Sequence, residues 1–275
     1  MKQEDERAAS LLARHLVCFV SGKTLEQFIA DQDKFAPYKV CLAMEDVVRR
    51  VLAEEPLAYI LGEWSFYGLN LYVDKNVLIP RDDTCAVAHL AIKKSLYLEQ
   101  DPRILDLCTG SGCIGLAVAN RVKDARVTLA DISDDALAVA QKNVQRLNMG
   151  NRVRCVKVDA LAPPPSFLGK YHLIVSNPPY ITTEEMGQLP ISVKEYEPEL
   201  ALHGGEDGLV FYRSIAEHYT SLLHPGGYLC LEYGEGQGDA ICEILEKRGY
   251  TILERANDYN DTERAVLARY DRKES

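Results

Sequence analysis

The sequence predicts an α/β protein whose main domain is an open, doubly wound, mostly parallel sheet. From residue 103 onward, short apolar strands alternate with amphipathic helices, which is the pattern of βα units. Residues 110–115 read G-x-G-x-x-G and stand between the first of these strands and a helix. Pro178 and Pro179 stop a later strand abruptly, because neither residue can donate to a ladder. These observations place a candidate site at the carboxyl edge of the sheet.

Residues 1–60 predict a small helical domain. Leu12 and Leu16 lie on one apolar face, and a second apolar stripe runs over 40–52. Thr24 is placed to cap a short helix between them. With eight Lys and Arg against ten Asp and Glu, this domain is nearly neutral, which suits docking to a protein better than binding DNA. A structural cap on the larger domain is the alternative.

Residues 61–84 predict a β-hairpin linker. Apolar residues alternate from Phe66 to Ile79, and a turn is predicted near 74–76. Asp83 or Thr84 is placed to cap the helix that begins the third segment, 85–275.

The third segment carries the alternating pattern. Seven strands are predicted, at 103–108, 126–130, 153–158, 171–175, 228–233, 250–254 and 264–270. The helices between them are predicted at 113–122, 134–147, 206–223 and 237–248.

Composition narrows the class of protein. The formal net charge of −10 over 275 residues disfavours a broad electrostatic grip on nucleic acid, so we expect no direct binding of it. The sequence has no run of eighteen apolar residues, and its acidic start is unlike a signal peptide, so we expect a cytoplasmic protein that does not enter the membrane. The eight Cys residues form no Cys-x-x-Cys pair, so they are interpreted as reduced thiols and no metal site is expected.

Three Asp residues surround the predicted glycine loop. Asp131 ends the second strand, where a carboxylate can hold ribose hydroxyls, although it could instead cap the next helix. Asp159 ends the third strand and could reach an adenine amino group. Asp106 lies inside the first strand, where it could order the loop or meet a cation. The glycine motif alone fits NAD(P) or another adenosine cofactor, but an acidic loop suits the ammonium and sulfonium of S-adenosylmethionine better than a pyrophosphate.

The stretch Asn177-Pro178-Pro179-Tyr180 forms a rigid corner after the fourth strand. The Asn177 amide oxygen can accept one N–H of a planar NH2 group, a proline carbonyl can accept the other, and the Tyr180 ring can cover the plane. Such a corner would aim the nitrogen lone pair at an electrophile by positioning alone. An ordinary strand-ending turn is the alternative.

The glycine loop, the strand ending in Asp131 and this corner together resemble the Rossmann-like, seven-stranded class I S-adenosylmethionine-dependent methyltransferases. The segments 77–81, 175–181, 196–198, 204–209 and 231–234 make the whole chain similar to the HemK/PrmC family. That family methylates the side-chain nitrogen of the glutamine in the Gly-Gly-Gln loop of peptide chain release factors. The resemblance implies that the N-terminal domain docks the substrate and that S-adenosyl-L-homocysteine is the product. We expect a monomer.

The expected site has two parts. Residues expected to bind the cofactor are Asp106, Cys108, Thr109, Gly110, Ser111, Gly112, Asp131, Ile132, Asp159, Ala160 and Asn177. Residues expected to be catalytic are Asn177, Pro178 and Tyr180, and these three are expected to bind the substrate glutamine together with Pro179 and Arg81.

The chain departs from the family pattern at two positions. Cys85 replaces a usual carboxylate, and Cys108 stands where Gly is common, a change of small cost if the backbone φ is negative. Three alternatives stay open: methylation of another planar nitrogen (a ribosomal-protein glutamine or a nucleic-acid base), a degenerate cofactor-binding scaffold, and an NAD(P) oxidoreductase. Glu232, in a late strand, is interpreted as structural.

Overall fold

The structure is a computed structural model that describes residues 2–98 and 101–271, with side chains from residue 9 onward. The chain forms two compact units, Met1–Gly62 and Glu63–Ser275. No helix in the described residues is long and apolar enough to cross a membrane.

The first unit consists of helices. They are α1 (Lys2–Ser21), α2 (Leu25–Ala30), α3 (Tyr38–Leu52) and α4 (Leu57–Leu61). Leu16, Val47 and Ile60 form its small buried core, which gathers one residue from each of α1, α3 and α4. The predicted cap is confirmed, because the Thr24 side chain accepts from Gln27 N and the Gln27 side chain accepts from Thr24 N.

The second unit opens with a β-hairpin whose turn differs from the prediction. Strands β1 (Glu63–Phe66) and β2 (Leu69–Tyr72) are antiparallel and joined by Tyr67 and Gly68. Both turn residues have positive φ, 49° and 79°, as a type I′ turn requires. A turn does form at the predicted 74–76, where Val77 N donates to Asp74 O (3.1 Å) and Asp74 Oδ1 accepts from Asn76 N. Its assignment as the hairpin turn is wrong, because it follows β2.

The predicted doubly wound sheet is confirmed. Its seven strands are β3 (Arg103–Leu107), β4 (Arg126–Asp131), β5 (Val153–Lys157), β6 (Tyr171–Ser176), β7 (Leu223–Glu232), β8 (Tyr250–Asn257) and β9 (Glu263–Tyr270). They are ordered β5-β4-β3-β6-β7-β9-β8. Strand β9 runs in the direction opposite to the other six, so its pairings with β7 and β8 are antiparallel. The order reverses between β3 and β6, and this switch point is where ligands bind in such sheets.

Helices cover both faces of the sheet. They are α5 (Cys85–Ser95), α6 (Cys113–Arg121), α7 (Asp134–Arg146), α8 (Thr183–Met186), α9 (Ile191–Lys194), α10 (Val210–His218) and α11 (Gly238–Lys247). The helix predicted over 206–223 is too long. Gly208 has φ 70°, which keeps the preceding loop out of the helix, and a 3-10 turn at Tyr219–Leu222 ends it.

The core lies on both sides of the central strands. Ile104 on β3 packs into one apolar cluster, whereas Leu105 and Leu107 pack into the cluster on the opposite face. This burial fixes the register of β3 and β6 in the sheet. It therefore fixes where these strands end and where the loops that follow them begin.

Candidate active site

A cavity lies at the carboxyl edge of β3, β4 and β6. It encloses about 1000 Å³, part of it open to solvent. The predicted residues that line it are Cys108, Thr109, Gly110, Ser111, Asp131, Ile132, Asp159, Ala160, Asn177 and Pro179. The predicted residues outside the lining are Asp106, Gly112, Pro178, Tyr180 and Arg81. The fold thus joins the glycine loop, both strand-ending Asp residues and the proline corner around one space.

Asp106, on β3, holds the glycine loop that follows this strand through two hydrogen bonds. It is fully buried, and its Oδ2 accepts from Thr109 Oγ1 (2.6 Å) and from Gly115 N (2.8 Å). A Cβ on Gly115 would lie 2.9 Å from the same oxygen and 2.3 Å from Leu129, so only glycine fits there. Burial raises the pKa of Asp106 to about 7, although these two hydrogen bonds favour its ionised form. Its Oδ1 has no partner among the described residues.

Asp106→Asn is expected to flatten the pH dependence of stability. A carboxyl whose folded pKa lies near 7 binds more protons when folded than when unfolded, so its stabilising contribution is full below about pH 4 and lost as the pH rises through 7. The amide that replaces it in the variant does not titrate. The melting temperature of the wild type, relative to the variant, should therefore fall between pH 5 and pH 8. Parallel pH profiles for the two proteins would contradict this, and Asp135→Asn, on the exposed start of α7, is the control.

The glycine loop contains strained backbone at its first residue. Cys108 has φ 58°, so the condition under which a Cys would cost little here is not met. A non-glycine residue in this region costs about 1 kcal/mol, which explains why glycine is common there. The loop accepts this because Thr109 N donates to Ala130 O (3.0 Å) and Gly112 N donates to Thr109 O (2.8 Å).

Asp131 ties the glycine loop to the end of β4. Its Oδ2 accepts from Gly110 N (2.9 Å) and its Oδ1 accepts from Ser133 N (3.0 Å). The alternative in which Asp131 caps α7 is wrong, because Ser133 is the cap and its side chain accepts from Ala136 N. Burial raises the pKa of Asp131, and the backbone hydrogen bonds oppose that rise. Each carboxylate oxygen keeps lone-pair capacity for hydroxyls in the cavity.

Asn143 supports the loop from α7, a role that the sequence analysis missed. It is fully buried, accepts from Tyr72 N (2.7 Å), and donates to Tyr72 O and Ser111 O (2.9 Å each). One side chain therefore joins the hairpin to the glycine loop. A signal was available: Asn143 is seven residues after Ala136, on the buried face of a helix where a polar residue needs partners.

Asn143→Ala is expected to lower both stability and cofactor affinity. It leaves one N–H and two carbonyls without their partner, at about 1–3 kcal/mol for each group that stays dry. We expect a loss of about 3 kcal/mol in unfolding free energy and a dissociation constant for S-adenosylhomocysteine about tenfold higher, measured by denaturation and calorimetry. Gln145→Ala, on the exposed face of α7, should change neither quantity. Wild-type affinity in the Asn143 variant would contradict the assigned support of the loop.

The proline corner is anchored to the neighbouring strand. Ser176 Oγ donates to Leu107 O (2.6 Å), which joins the ends of β6 and β3. Asn177 is half-buried, and its Nδ2 donates to Thr84 Oγ1 (3.4 Å). Pro178 and Pro179 are buried, so the corner is held by packing as well as by its fixed φ angles.

The Tyr180 backbone is clamped by the glycine-rich segment 204–208. Gln237 Nε2 donates to Tyr180 O (3.1 Å). A Cβ on Gly204 would lie 2.6 Å from Tyr180 Cα, so a side chain at this position would displace the corner. The motif recognised in the sequence therefore has a physical reason, which is close approach behind Tyr180.

Arg81 is engaged by a buried carboxylate. Its guanidinium forms a salt bridge with Glu197, whose side chain is 1% exposed and also accepts from Ile79 N (3.2 Å). This pair joins the segment before α5 to the segment carrying Pro198. Pro80 and Pro198 both line the cavity, so the pair shapes its wall, and a contact between Arg81 and substrate stays a prediction.

Thr84 and Glu232 form a second buried polar pair, next to Asn177. Thr84 lines the cavity, and its Oγ1 donates to Glu232 Oε1 (3.1 Å). Thr84 is the residue preceding α5, as predicted, but its side chain makes no capping hydrogen bond. Burial raises the pKa of Glu232 to about 8, whereas hydrogen bonds from Thr84 and Asn177 favour its ionised form. A Glu inside an apolar strand was the available signal.

The site combines a glycine loop, a strand-ending carboxylate and an amide corner around one cavity. Ile132, Ala160 and Leu161 give the cavity an apolar wall beside Asp131, which suits an adenosine. The Asp131 carboxylate in the lining keeps lone-pair capacity, which fits the hydroxyls of such a group. The fold, the site and the relatives described next together define an S-adenosylmethionine-dependent methyltransferase.

Comparison with known proteins specifies the family. Residues 87–192 match the family described as Methyltransferase small domain, and residues 1–62 match the one described as PrmC N-terminal domain. A release factor glutamine methyltransferase from Clostridium acetobutylicum is 41% identical over 78% of this chain and 74% of its own length. One from Chlorobaculum tepidum is 38% identical over 96% and 90%. The chain belongs to the release factor glutamine methyltransferase family.

A solved structure agrees with the fold. The crystal structure of a methyltransferase from Pyrococcus furiosus superposes with a TM-score of 0.54 at 18% identity, covering 83% of this chain and 100% of that one.

Proposed function

We propose that this protein transfers the methyl group of S-adenosylmethionine to the side-chain amide nitrogen of the glutamine in the Gly-Gly-Gln loop of peptide chain release factors. The observation that carries the proposal is the Asn177 amide, held at the wall of the same cavity as the glycine loop, one strand away, and Asp131, two strands away. Family membership supports the choice of substrate.

The cofactor is held by the first group of cavity residues. The backbone of 108–112 would hold the methionine part, the Asp131 carboxylate would accept from the ribose hydroxyls, and Ile132 and Ala160, which line the cavity, would enclose the adenine. Asp159 is exposed at the rim, where its Oδ1 accepts from Leu161 N (2.8 Å), so it orders the loop that borders the adenine. S-adenosylmethionine supplies an electrophilic methyl group on a sulfonium.

The substrate amide is held by the proline corner. Asn177 Oδ1 accepts one N–H, the Pro178 carbonyl accepts the other, and Tyr180 covers the amide plane. These acceptors favour pyramidalisation of a nitrogen whose lone pair is otherwise delocalised into its carbonyl. As the N–C bond forms, the S–C bond breaks, S-adenosylhomocysteine leaves, and the nitrogen loses one proton to water.

The helical unit Met1–Gly62 is proposed to dock the release factor. It exposes large apolar side chains, among them Phe35, Tyr38 and Leu52, each more than three-quarters exposed. Exposed apolar groups of this size are typical of protein-binding surfaces. We propose further that the enzyme acts as a monomer in the cytoplasm, where release factors work, and makes no direct contact with nucleic acid.

Mass spectrometry tests the proposed reaction. The protein, S-adenosylmethionine and an unmodified release factor from the same organism are mixed, and the Gly-Gly-Gln peptide is analysed. We expect a gain of one methyl group on the glutamine, and a release factor with Gln replaced by Asn in that loop should remain unmodified. If the cofactor binds and the peptide mass does not change, the substrate assignment is wrong, and ribosomal proteins and nucleic acid become the next substrates to assay.

A further inference from the structure

We propose that Glu232, acting through Thr84, fixes the direction of the Asn177 side-chain amide, so that the cavity presents a hydrogen-bond acceptor to the substrate. Glu232 is a positioning residue in this proposal, since it does not line the cavity. The inference deepens the proposed function and rests on it.

The direction follows from the order of donors and acceptors. Glu232 Oε1 accepts from Thr84 Oγ1, which uses the only proton that the hydroxyl has. With Glu232 ionised, as it is above its pKa of about 8, Thr84 Oγ1 can then only accept from Asn177. The atom that faces it is therefore Nδ2, at 3.4 Å. A protonated Glu232 could donate to Thr84 and would release this constraint. The amide is planar, and its Oδ1 is left on the other edge for a ligand. A flipped amide would place two acceptors, Oδ1 and Oγ1, against each other.

The burial of Thr84 and Glu232 holds the Asn177 amide in this orientation. Thr84 is 2% exposed and Glu232 is 1% exposed, so water cannot readily replace a missing partner. Glu232 is also held through its backbone, because Tyr212 Oη donates to Glu232 O (2.9 Å) and β7 is paired on both sides. The chain Glu232–Thr84–Asn177 therefore begins at a fixed acceptor and ends at the cavity.

The polarity of the cavity wall decides which substrate side chain it accepts. An acceptor at Asn177 binds the NH2 of glutamine and repels the carboxylate of glutamate, which has no proton to offer at neutral pH. If the Asn177 amide could turn, its NH2 would face the cavity and donate to a carboxylate. Glu232 is thus assigned to discrimination between glutamine and glutamate as well as to turnover.

The test is run above pH 8, where Glu232 is ionised, and uses the full-length enzyme and two variants that break the chain at different links. Glu232→Met keeps the side-chain length without an acceptor, and Thr84→Val keeps the shape without a hydroxyl. The probes are an unmodified release factor and the same factor with the loop glutamine replaced by glutamate, the latter measured as a competitive inhibitor. Calorimetry with S-adenosylhomocysteine and the melting temperature are recorded in parallel.

Both variants are expected to lower kcat about tenfold or more, with the S-adenosylhomocysteine dissociation constant within threefold of wild type. The wild type should bind the glutamate-containing factor at least tenfold more weakly than the glutamine-containing one, and this ratio should fall below threefold in each variant. Glu232 also favours the same direction directly, since a hydrogen bond from Asn177 stabilises its ionised form, so Glu232→Met should be the more severe variant and the double variant no worse than it. Thr84→Ser, which keeps the hydroxyl, should match the wild type in kcat and in the discrimination between glutamine and glutamate.

Tyr212→Phe is the matched control. It removes a buried hydroxyl from the Glu232 main chain and leaves the side-chain hydrogen bonds in place, so it should lower the melting temperature without changing discrimination. Unchanged discrimination in folded Glu232→Met and Thr84→Val would overturn the inference. A wild type that leaves the release factor unmodified would instead overturn the proposed function, so the two failures are distinguishable.

Discussion

Asn177→Ala is expected to lower the rate of glutamine methylation by about 10²- to 10³-fold, as the loss of one preorganised hydrogen-bond partner at a reacting group does in other enzymes. The acceptor at the end of β6 is the group proposed to hold one N–H of the substrate amide. Without it the nitrogen keeps its planar, delocalised form, and nothing directs its lone pair toward the sulfonium.

The fold should survive this substitution. Asn177 is half-buried, and its hydrogen bond to Thr84 is long at 3.4 Å, whereas Thr84 keeps its bond to Glu232. We expect the melting temperature to change by a few degrees at most and the dissociation constant of S-adenosylhomocysteine to rise less than tenfold. Single-turnover methylation of the release factor, followed by peptide mass, measures the rate.

Asn151→Ala is the matched control for this experiment. Asn151 is exposed in the turn before β5, at the amino ends of the strands, whereas the cavity lies at their carboxyl ends. Its removal should therefore leave the rate unchanged. An Asn177→Ala enzyme that retains more than a tenth of the wild-type rate would contradict the assignment of this amide to the reaction.

Strand ends and their polar residues could be predicted from the sequence, because the signal is local. The apolar run of β4 stops at Asp131 and that of β6 stops before Asn177, so both side chains had to lie at one edge of a parallel sheet. The glycine spacing located the loop for the same reason. These features need only the order of residues along one element.

The partners of Thr84 and Glu232 could not be predicted, because the signal is not local. The two residues are 148 positions apart, and they meet only because β7 lies beside β6 while α5 packs over both. Strand order follows from the packing of the whole sheet and not from any single segment. The salt bridge of Arg81 could not be predicted for the same reason, since its partner Glu197 is 116 positions away.

The hairpin shows how local chemistry can mislead. Asp74, Lys75 and Asn76 carry stronger turn preferences than Tyr67, and they do form a turn, yet the turn that joins the two strands is the one at Tyr67 and Gly68. The choice is made by burial, since this register places Phe66, Leu69 and Leu71 in the core. A Tyr with φ 49° is the cost of that burial.

Asp131→Ala is expected to have the second large effect, on cofactor binding. The substitution removes the acceptor of two backbone N–H groups and of the proposed ribose hydroxyls, and hydrogen bonds to a charged group contribute about 1.5–3 kcal/mol each. Part of the lost hydrogen-bond free energy is lost already in the free enzyme, because the glycine loop is then less ordered. We therefore expect the dissociation constant of S-adenosylhomocysteine to rise about 100-fold by calorimetry, and Asp131→Asn, which keeps one acceptor oxygen, to give about a tenfold rise.

The same variant separates the two halves of the site. Asp131 lies at the end of β4, away from the amide corner, so kcat at saturating S-adenosylmethionine should stay within tenfold of wild type, the reverse of the pattern expected for Asn177. Asp135→Ala, exposed in the first turn of α7, is the control and should bind normally. Affinity within threefold of wild type in Asp131→Ala would remove this carboxylate from the cofactor site and leave it as a tether for the glycine loop.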